Sequence, residues 1–137
     1  MKKILLLSFL ALSLFALSCS NNEDNTPPQQ NNPIQSKFFS PPSWIIGTWV
    51  ISGTTTQYFK FSNEDFILLT PYTSYKTVLE QTKSAGQTAK VDETITDIDY
   101  NFVITVGASS GSYKFKKVNA TKIQWINGIN NITLDKE

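Results

Sequence analysis

The feature that most constrains this chain is a stretch of strict alternation near its centre. Ile98, Tyr100, Phe102, Ile104 and Val106 alternate with Asp99, Asn101, Val103 and Thr105. Successive side chains of an extended strand point to opposite faces, so this run reads as a strand with one buried and one solvated face. Half-buried strands of this kind belong to antiparallel sheets, because parallel sheets are covered on both sides. Shorter stretches repeat the theme. Residues 44–50, Trp-Ile-Ile-Gly-Thr-Trp-Val behind Pro41-Pro42, read as the first strand. Phe59 and Phe61 share one face of a strand at 57–62, and residues 62–65 turn the chain into another at 66–69.

The C-terminal half continues in the same way. Residues 91–95 form a further strand, or the same strand as 98–106 bent near Thr96-Asp97, since the period slips by one residue there. Residues 107–111 form a loop into Tyr113-Lys114-Phe115-Lys116, and residues 118–121 turn into a strand at 122–126 with Ile123 and Trp125 facing inward. Asn127-Gly128 is a strong hairpin signal, because both residues tolerate positive φ. Ile132 and Leu134 complete the sheet. One segment departs from the pattern: Tyr75, Val78, Leu79 and Thr82 fall at helical spacing. A short amphipathic helix is predicted over 73–85, capped by Thr73 or Ser74, ended by Gly86 and supported by Lys76 and Glu80 at i, i+4. The expected fold is therefore all-β, an antiparallel up-and-down barrel of roughly seven to eight strands with one short α-helix.

Composition narrows the chemistry. All 12 basic residues are lysine, and histidine and arginine are absent. Without imidazole the chain has no Ser-His or Cys-His nucleophile pair and no His-ligated metal, and the commonest general base is missing. Without guanidinium it has no bidentate clamp for phosphate or carboxylate. A formal net charge of +1, with the lysines scattered, offers no electrostatic footprint for nucleic acid.

The N-terminus reads as an export signal. Lys2 and Lys3 precede a mostly apolar run over 4–17, and the small residues Ala16 and Ser18 lead to Cys19. That run is too short to remain as a membrane span. Ala16-Leu17-Ser18-Cys19 resembles the lipobox of bacterial lipoproteins, a resemblance that implies Cys19 as the acylated, palmitate-bearing first residue of the mature chain. Cys19 is the one cysteine present, so it has no partner for an internal disulfide, and a free thiol is a liability in an oxidising compartment. Residues 20–36 are polar and proline-punctuated, the composition of a disordered tether. Glu23-Asp24 in that tether resembles the export signal that carries some lipoproteins to the surface of Gram-negative bacteria. The expected layout is a signal peptide at 1–18, a lipid anchor and tether at 19–36, and a barrel domain at 37–137. Phe38-Phe39 and Pro41-Pro42 are expected to pack across one open end. The expected location is the bacterial cell envelope, lipid-anchored in the outer membrane; Glu23-Asp24 leaves two readings open, display at the cell surface or a plain soluble linker.

The barrel itself resembles the lipocalin-like (calycin) proteins, and especially small lipocalin-like lipoproteins of the bacterial envelope. Gly47-Thr48-Trp49 is similar to the family's Gly-x-Trp on the first strand, and Thr96-Asp97 with Tyr100 is similar to its Thr-Asp-x-x-Tyr. The resemblance implies an up-and-down barrel with a small interior for an apolar ligand. On that basis the expected function is binding of a small apolar or amphipathic molecule, with Trp49, Phe61, Phe102 and Trp125 as lining residues and the helix of Tyr75 and Leu79 as a lid. A second expectation, from a different class, is a structural or interaction module whose barrel is solid and whose loops contact an envelope protein or a glycan.

Two motif matches are set aside on physical grounds. Gly107-Ala108-Ser109-Ser110-Gly111 fits the Gly-x-Ser-x-Gly nucleophile elbow, which requires a strand-to-helix turn and a histidine base. Asp97-Ile98-Asp99-Tyr100-Asn101 opens like a calcium-binding loop, but Phe102 replaces its glycine and Ala108 its bidentate glutamate. The expectation is a monomeric, non-enzymatic protein without metal or cofactor.

Overall fold

A computed structural model describes residues 37–127 and 130–137. The leader, Cys19, the tether with Glu23-Asp24, and Gly128-Ile129 lie outside the described residues. In chain order the elements are β1 (Gly47–Ile51), β2 (Gln57–Phe61), β3 (Phe66–Leu69), β4 (Tyr72–Ser74), α1 (Tyr75–Ser84), β5 (Ala89–Ile95), β6 (Asp99–Val106), β7 (Ser109–Asn119), β8 (Lys122–Asn127) and β9 (Asn130–Lys136). They form one nine-stranded antiparallel sheet in the order β4-β3-β2-β1-β9-β8-β7-β6-β5. The fold is all-β with a single short helix, as the alternation predicts, and the sheet curls into a half-barrel.

The pairing of β1 with β9, through Trp49↔Lys136, Val50↔Asp135 and Ile51↔Leu134, joins the two ends of the described domain. Among the described strands, β4 and β5 are the consecutive pair that do not bond to one another. The half-barrel is open there, and α1 lies against the strands that flank the opening, β3, β4, β5 and β6.

Nine strands replace the expected seven to eight for two local reasons. β4 is a three-residue strand paired with β3 directly before the helix, where helical spacing alone begins α1 two residues too early. Residues 91–98 resolve into β5 and a tight turn. There the Thr96 hydroxyl accepts from the Ile98 and Asp99 N–H groups at 3.3 and 2.8 Å, and the Thr96 N–H donates to the Asp99 carbonyl at 2.8 Å. A hydroxyl that satisfies two amides at once lets the chain reverse within a few residues, and this is why the period slips.

The first strand also starts later than expected. Residues 43–45 form a turn in which the Ile45 N–H donates to Pro42, and the Trp49 indole N–H in turn donates to the Ile45 carbonyl at 2.7 Å. Gly47 then enters β1 at φ +134°, and a Cβ there would lie 2.7 Å from Lys136 Cε. The positive φ is what calls for glycine, since the flexible end of the Lys136 side chain can shift away from a Cβ. The space it leaves lets Lys136 cross β1 and hold its ammonium 5.5 Å from the Trp49 ring centroid, a cation–π contact worth roughly 0.5–2 kcal/mol.

The interior is dominated by rings. Phe39, Trp49, Phe59, Phe61, Phe66, Tyr100, Phe102 and Phe115 are all buried, with Leu79, Ile104, Ile123 and Leu134 between them. Phe61 stacks on Phe66 at 5.1 Å, and Phe59 meets Phe115 edge-on at 5.2 Å. Such pairs add roughly 0.5–1.5 kcal/mol each beyond the area they bury. Phe39, from the segment before β1, inserts edge-on against Phe102 at 5.8 Å. The next residue anchors that segment: the Ser40 N–H donates to both Glu93 carboxylate oxygens at 2.9 and 3.0 Å.

Candidate functional site

Helix α1 owes its position to the β2–β3 turn. Asp65 is buried, and its carboxylate accepts from the Ser74 hydroxyl at 2.6 Å and from the Lys76 N–H at 2.8 Å. Ser74 is the N-cap, and its oxygen accepts from the Thr77 N–H at 3.2 Å. The carboxylate thus sits at the positive end of the helix and meets amides that have no partner inside it. Lys76 places its ammonium 2.8 Å from Glu64, on the same turn. The Glu64 hydrogen bond raises the Lys76 pKa, with Glu80 adding a smaller attraction. This double anchoring points Tyr75 and Leu79 inward.

The six residues expected to line a ligand site take different places. Phe61 and Phe102 are buried, and both pack against Phe66 at 5.1 and 5.0 Å. Tyr75 stacks on that same ring at 5.4 Å and 8°. These three side chains are therefore brought together around Phe66, which periodicity marked only as part of a strand. Leu79 lies in the same core cluster, fully buried. Trp125 is half-buried and packs edge-on against Phe59 at 5.1 Å, and Trp49 is buried beneath Lys136.

Open space lies beside this cluster, between α1 and the β6–β7 hairpin. A cleft of about 240 Å³ is lined by Tyr75, Ile104, Val106 and Tyr113, with Ser109, Ser110 and Gly111 along one wall. Its origin is the register. Val106 pairs with Ser109, Ile104 with Gly111, Phe102 with Tyr113 and Tyr100 with Phe115. Because directly opposed residues share a face, Ser109 and Gly111 occupy inward positions. Too small to reach the helix, they leave the cleft. The volume falls below the roughly 300–1,000 Å³ of sites that enclose drug-sized ligands, so it suits a single ring or a short apolar segment.

Residues 107–111 are thus not the five-residue loop expected. Gly107 at φ +61° and Ala108 make a two-residue connection, and the serines belong to β7. The Gly107 N–H donates to the Thr88 carbonyl at 2.7 Å, tying this hairpin to the segment that follows α1. Tandem small residues after a glycine are an ambiguous signal, since loops and short-side-chain strands share that composition. Only the two-residue spacing of the turn distinguishes them.

Two phenols line the cleft. The Tyr75 and Tyr113 hydroxyls are 3.0 Å apart and share a hydrogen bond. Burial, then the bond to Tyr75, pushes the Tyr113 phenol well above its ordinary value of 10.0, so it stays neutral. Tyr100 is raised further, first by burial and then by its hydrogen bond to Glu93 at 2.5 Å.

Three of the acidic residues near the β5–β6 turn are otherwise engaged. Asp92 pairs with Lys90 at 2.7 Å, Glu93 accepts from Ser40 and Tyr100, and Asp99 accepts from the Thr96 hydroxyl. Among the described residues no three acidic, histidine or cysteine side chains gather as a metal site would require. No family model, curated protein or solved structure matches the chain.

Proposed function

We propose that this protein is an exported, lipid-anchored lipoprotein of the bacterial envelope whose lipocalin-like domain binds a small apolar or amphipathic molecule. The observation that carries the binding reading is the cleft of about 240 Å³ between α1 and the β6–β7 hairpin, walled by tyrosine and aliphatic side chains. The lipocalin-like reading draws support from Gly47-Thr48-Trp49 on β1 and the pairing of β1 with β9. In this reading the ligand sits beside the packed ring cluster, against Tyr75. Anchoring rests on Cys19 and the lipobox resemblance, and its check is incorporation of labelled palmitate in the producing bacterium, lost in Cys19→Ser.

Native mass spectrometry of the purified full-length protein, set beside denatured analysis, tests the binding reading. Expected is an added mass that disappears on denaturation and is absent from Gly111→Leu, whose side chain would occupy the cleft. A bare mass, with no uptake of an apolar fluorescent probe, counts against it. The ring-filled interior favours a second reading, a solid interaction module. Ile95, Ile98 and Val118 are its exposed apolar contacts, at 44%, 48% and 51% exposure. That reading predicts a stable complex with an envelope protein under cross-linking, lost when Ile98 and Val118 are changed to lysine.

A further inference from the structure

We propose that the cleft selects an uncharged, ring-sized molecule that bears one oxygen acceptor, a carbonyl or its equivalent, which the Tyr75–Tyr113 hydroxyl pair receives. The inference rests on the binding reading above and specifies its ligand.

Three observations carry it. The first is charge: every residue lining the cleft is aliphatic, aromatic, glycine or serine. An ionised group lodged there finds no counter-charge, and burying an unpaired charge is costly. The second is the count of hydroxyl protons. Two phenols carry two protons, and their mutual bond at 3.0 Å uses one. The other proton has no acceptor among the described residues. Whichever phenol accepts the mutual bond is also polarised by it, and becomes the stronger donor. The third is shape. Tyr75 is held stacked on Phe66 at 5.4 Å, while Phe102 stacks on Tyr113 at 5.4 Å. Both rings are therefore fixed in orientation, and the donor is set in place before any ligand arrives. Ile104 and the bare backbone of Gly111 supply apolar walls that a ring can lie against.

A matched trio of probes tests the assignment. Acetophenone is a ring with a carbonyl acceptor; α-methylstyrene has nearly its shape without the oxygen; benzoate has its size with a negative charge. Each is titrated into ¹⁵N-labelled full-length protein while the amide resonances of residues 75 and 109–113 are followed. The expected result is saturable binding of acetophenone about tenfold tighter than α-methylstyrene, the discrimination a single hydrogen bond supplies, with benzoate weaker than both. Tyr75→Phe or Tyr113→Phe alone leaves one hydroxyl with its proton and retains part of that preference. The double variant loses it, so that acetophenone no longer binds more tightly than α-methylstyrene, while its dispersed amide spectrum shows that the fold is intact.

Equal binding of acetophenone and α-methylstyrene, or preference for benzoate, overturns the inference and leaves the apolar-cleft reading standing. Failure of all three probes to move the cleft resonances overturns both.

Discussion

The two ends of the β6–β7 hairpin face the same interior and are built differently. At one end Tyr100 and Phe102 oppose Phe115 and Tyr113, and the rings interlock with Phe61 and Phe66. At the other end Ile104 and Val106 oppose Gly111 and Ser109, and the space remains open as the cleft. Two residues along one ladder, from Phe102↔Tyr113 to Ile104↔Gly111, therefore separate a filled core from a candidate binding site. The fold tolerates the change because the aromatic end carries the packing, while α1, held by Asp65 and Ser74, lends Tyr75 to the wall of the other.

The sharpest way to break this contrast is to hollow the filled end. Phe66 is ring partner to Phe39, Phe59, Phe61, Tyr75, Phe102, Tyr113 and Phe115. Phe66→Ala is expected to cost about 3–5 kcal/mol in denaturant unfolding, a large share of a small domain's stability. It should also disturb the cleft, since Tyr75 loses the ring on which it stacks.

Next in size is a dependence on alkaline pH. Unfolded chains release the phenol proton near its ordinary value of 10.0, while folded Tyr100 keeps it. Above that pH the unfolded state binds fewer protons, so stability falls as pH rises. The slope should approach about 1.4 kcal/mol per pH unit from Tyr100 alone. Tyr100→Phe flattens that slope in unfolding measured from pH 9 to 12, although it lowers stability near pH 7 by removing the bond to Glu93.

Removing the helix anchor probes the cleft end. Asp65→Ala leaves the Lys76 N–H without its acceptor and the Ser74 hydroxyl with only Thr77 Oγ1 in reach, and a loss of about 1–2 kcal/mol is expected. Hydrogen exchange in α1 should quicken more than exchange in β6 or β7. The smallest stability effect belongs to Gly111→Leu. Gly111 has no positive φ, and the nearest atom to a Cβ there is Tyr113 Cε2 at 3.9 Å. The variant is expected to remain within about 1 kcal/mol of the parent, with probe binding abolished. A cost of several kcal/mol would mean that this end is as tightly packed as the other.

Much of this was legible in the chain. Phe59, Phe61, Tyr100, Phe102 and Ile104 are buried as period two requires, whereas Ile98 of the same run falls in the turn before β6 and is exposed; Ser74 caps a helix whose Leu79 and Thr82 turn inward. The candidate site was less so. Tyr75 is the one expected lining residue that borders the cleft, and Ile104, Val106, Ser109, Gly111 and Tyr113 join it only through register. A ring at inward spacing marks burial and leaves open whether it faces a neighbour or a void. Here Phe61 and Phe102 face neighbours.

What the sequence determined by itself is therefore local: alternation made strands, capping made the helix, and the absence of histidine and arginine removed whole classes of chemistry. Tertiary structure decided which strands meet. It joined β1 to β9, left β4 and β5 apart under the helix, and set Val106 opposite Ser109. The physical reason is that side-chain direction in a strand has a period of two, so a turn one residue longer would send Ser109, Gly111 and Tyr113 to the solvent face. A cleft made by what is missing from two small side chains exists only once the facing strand and helix are in place.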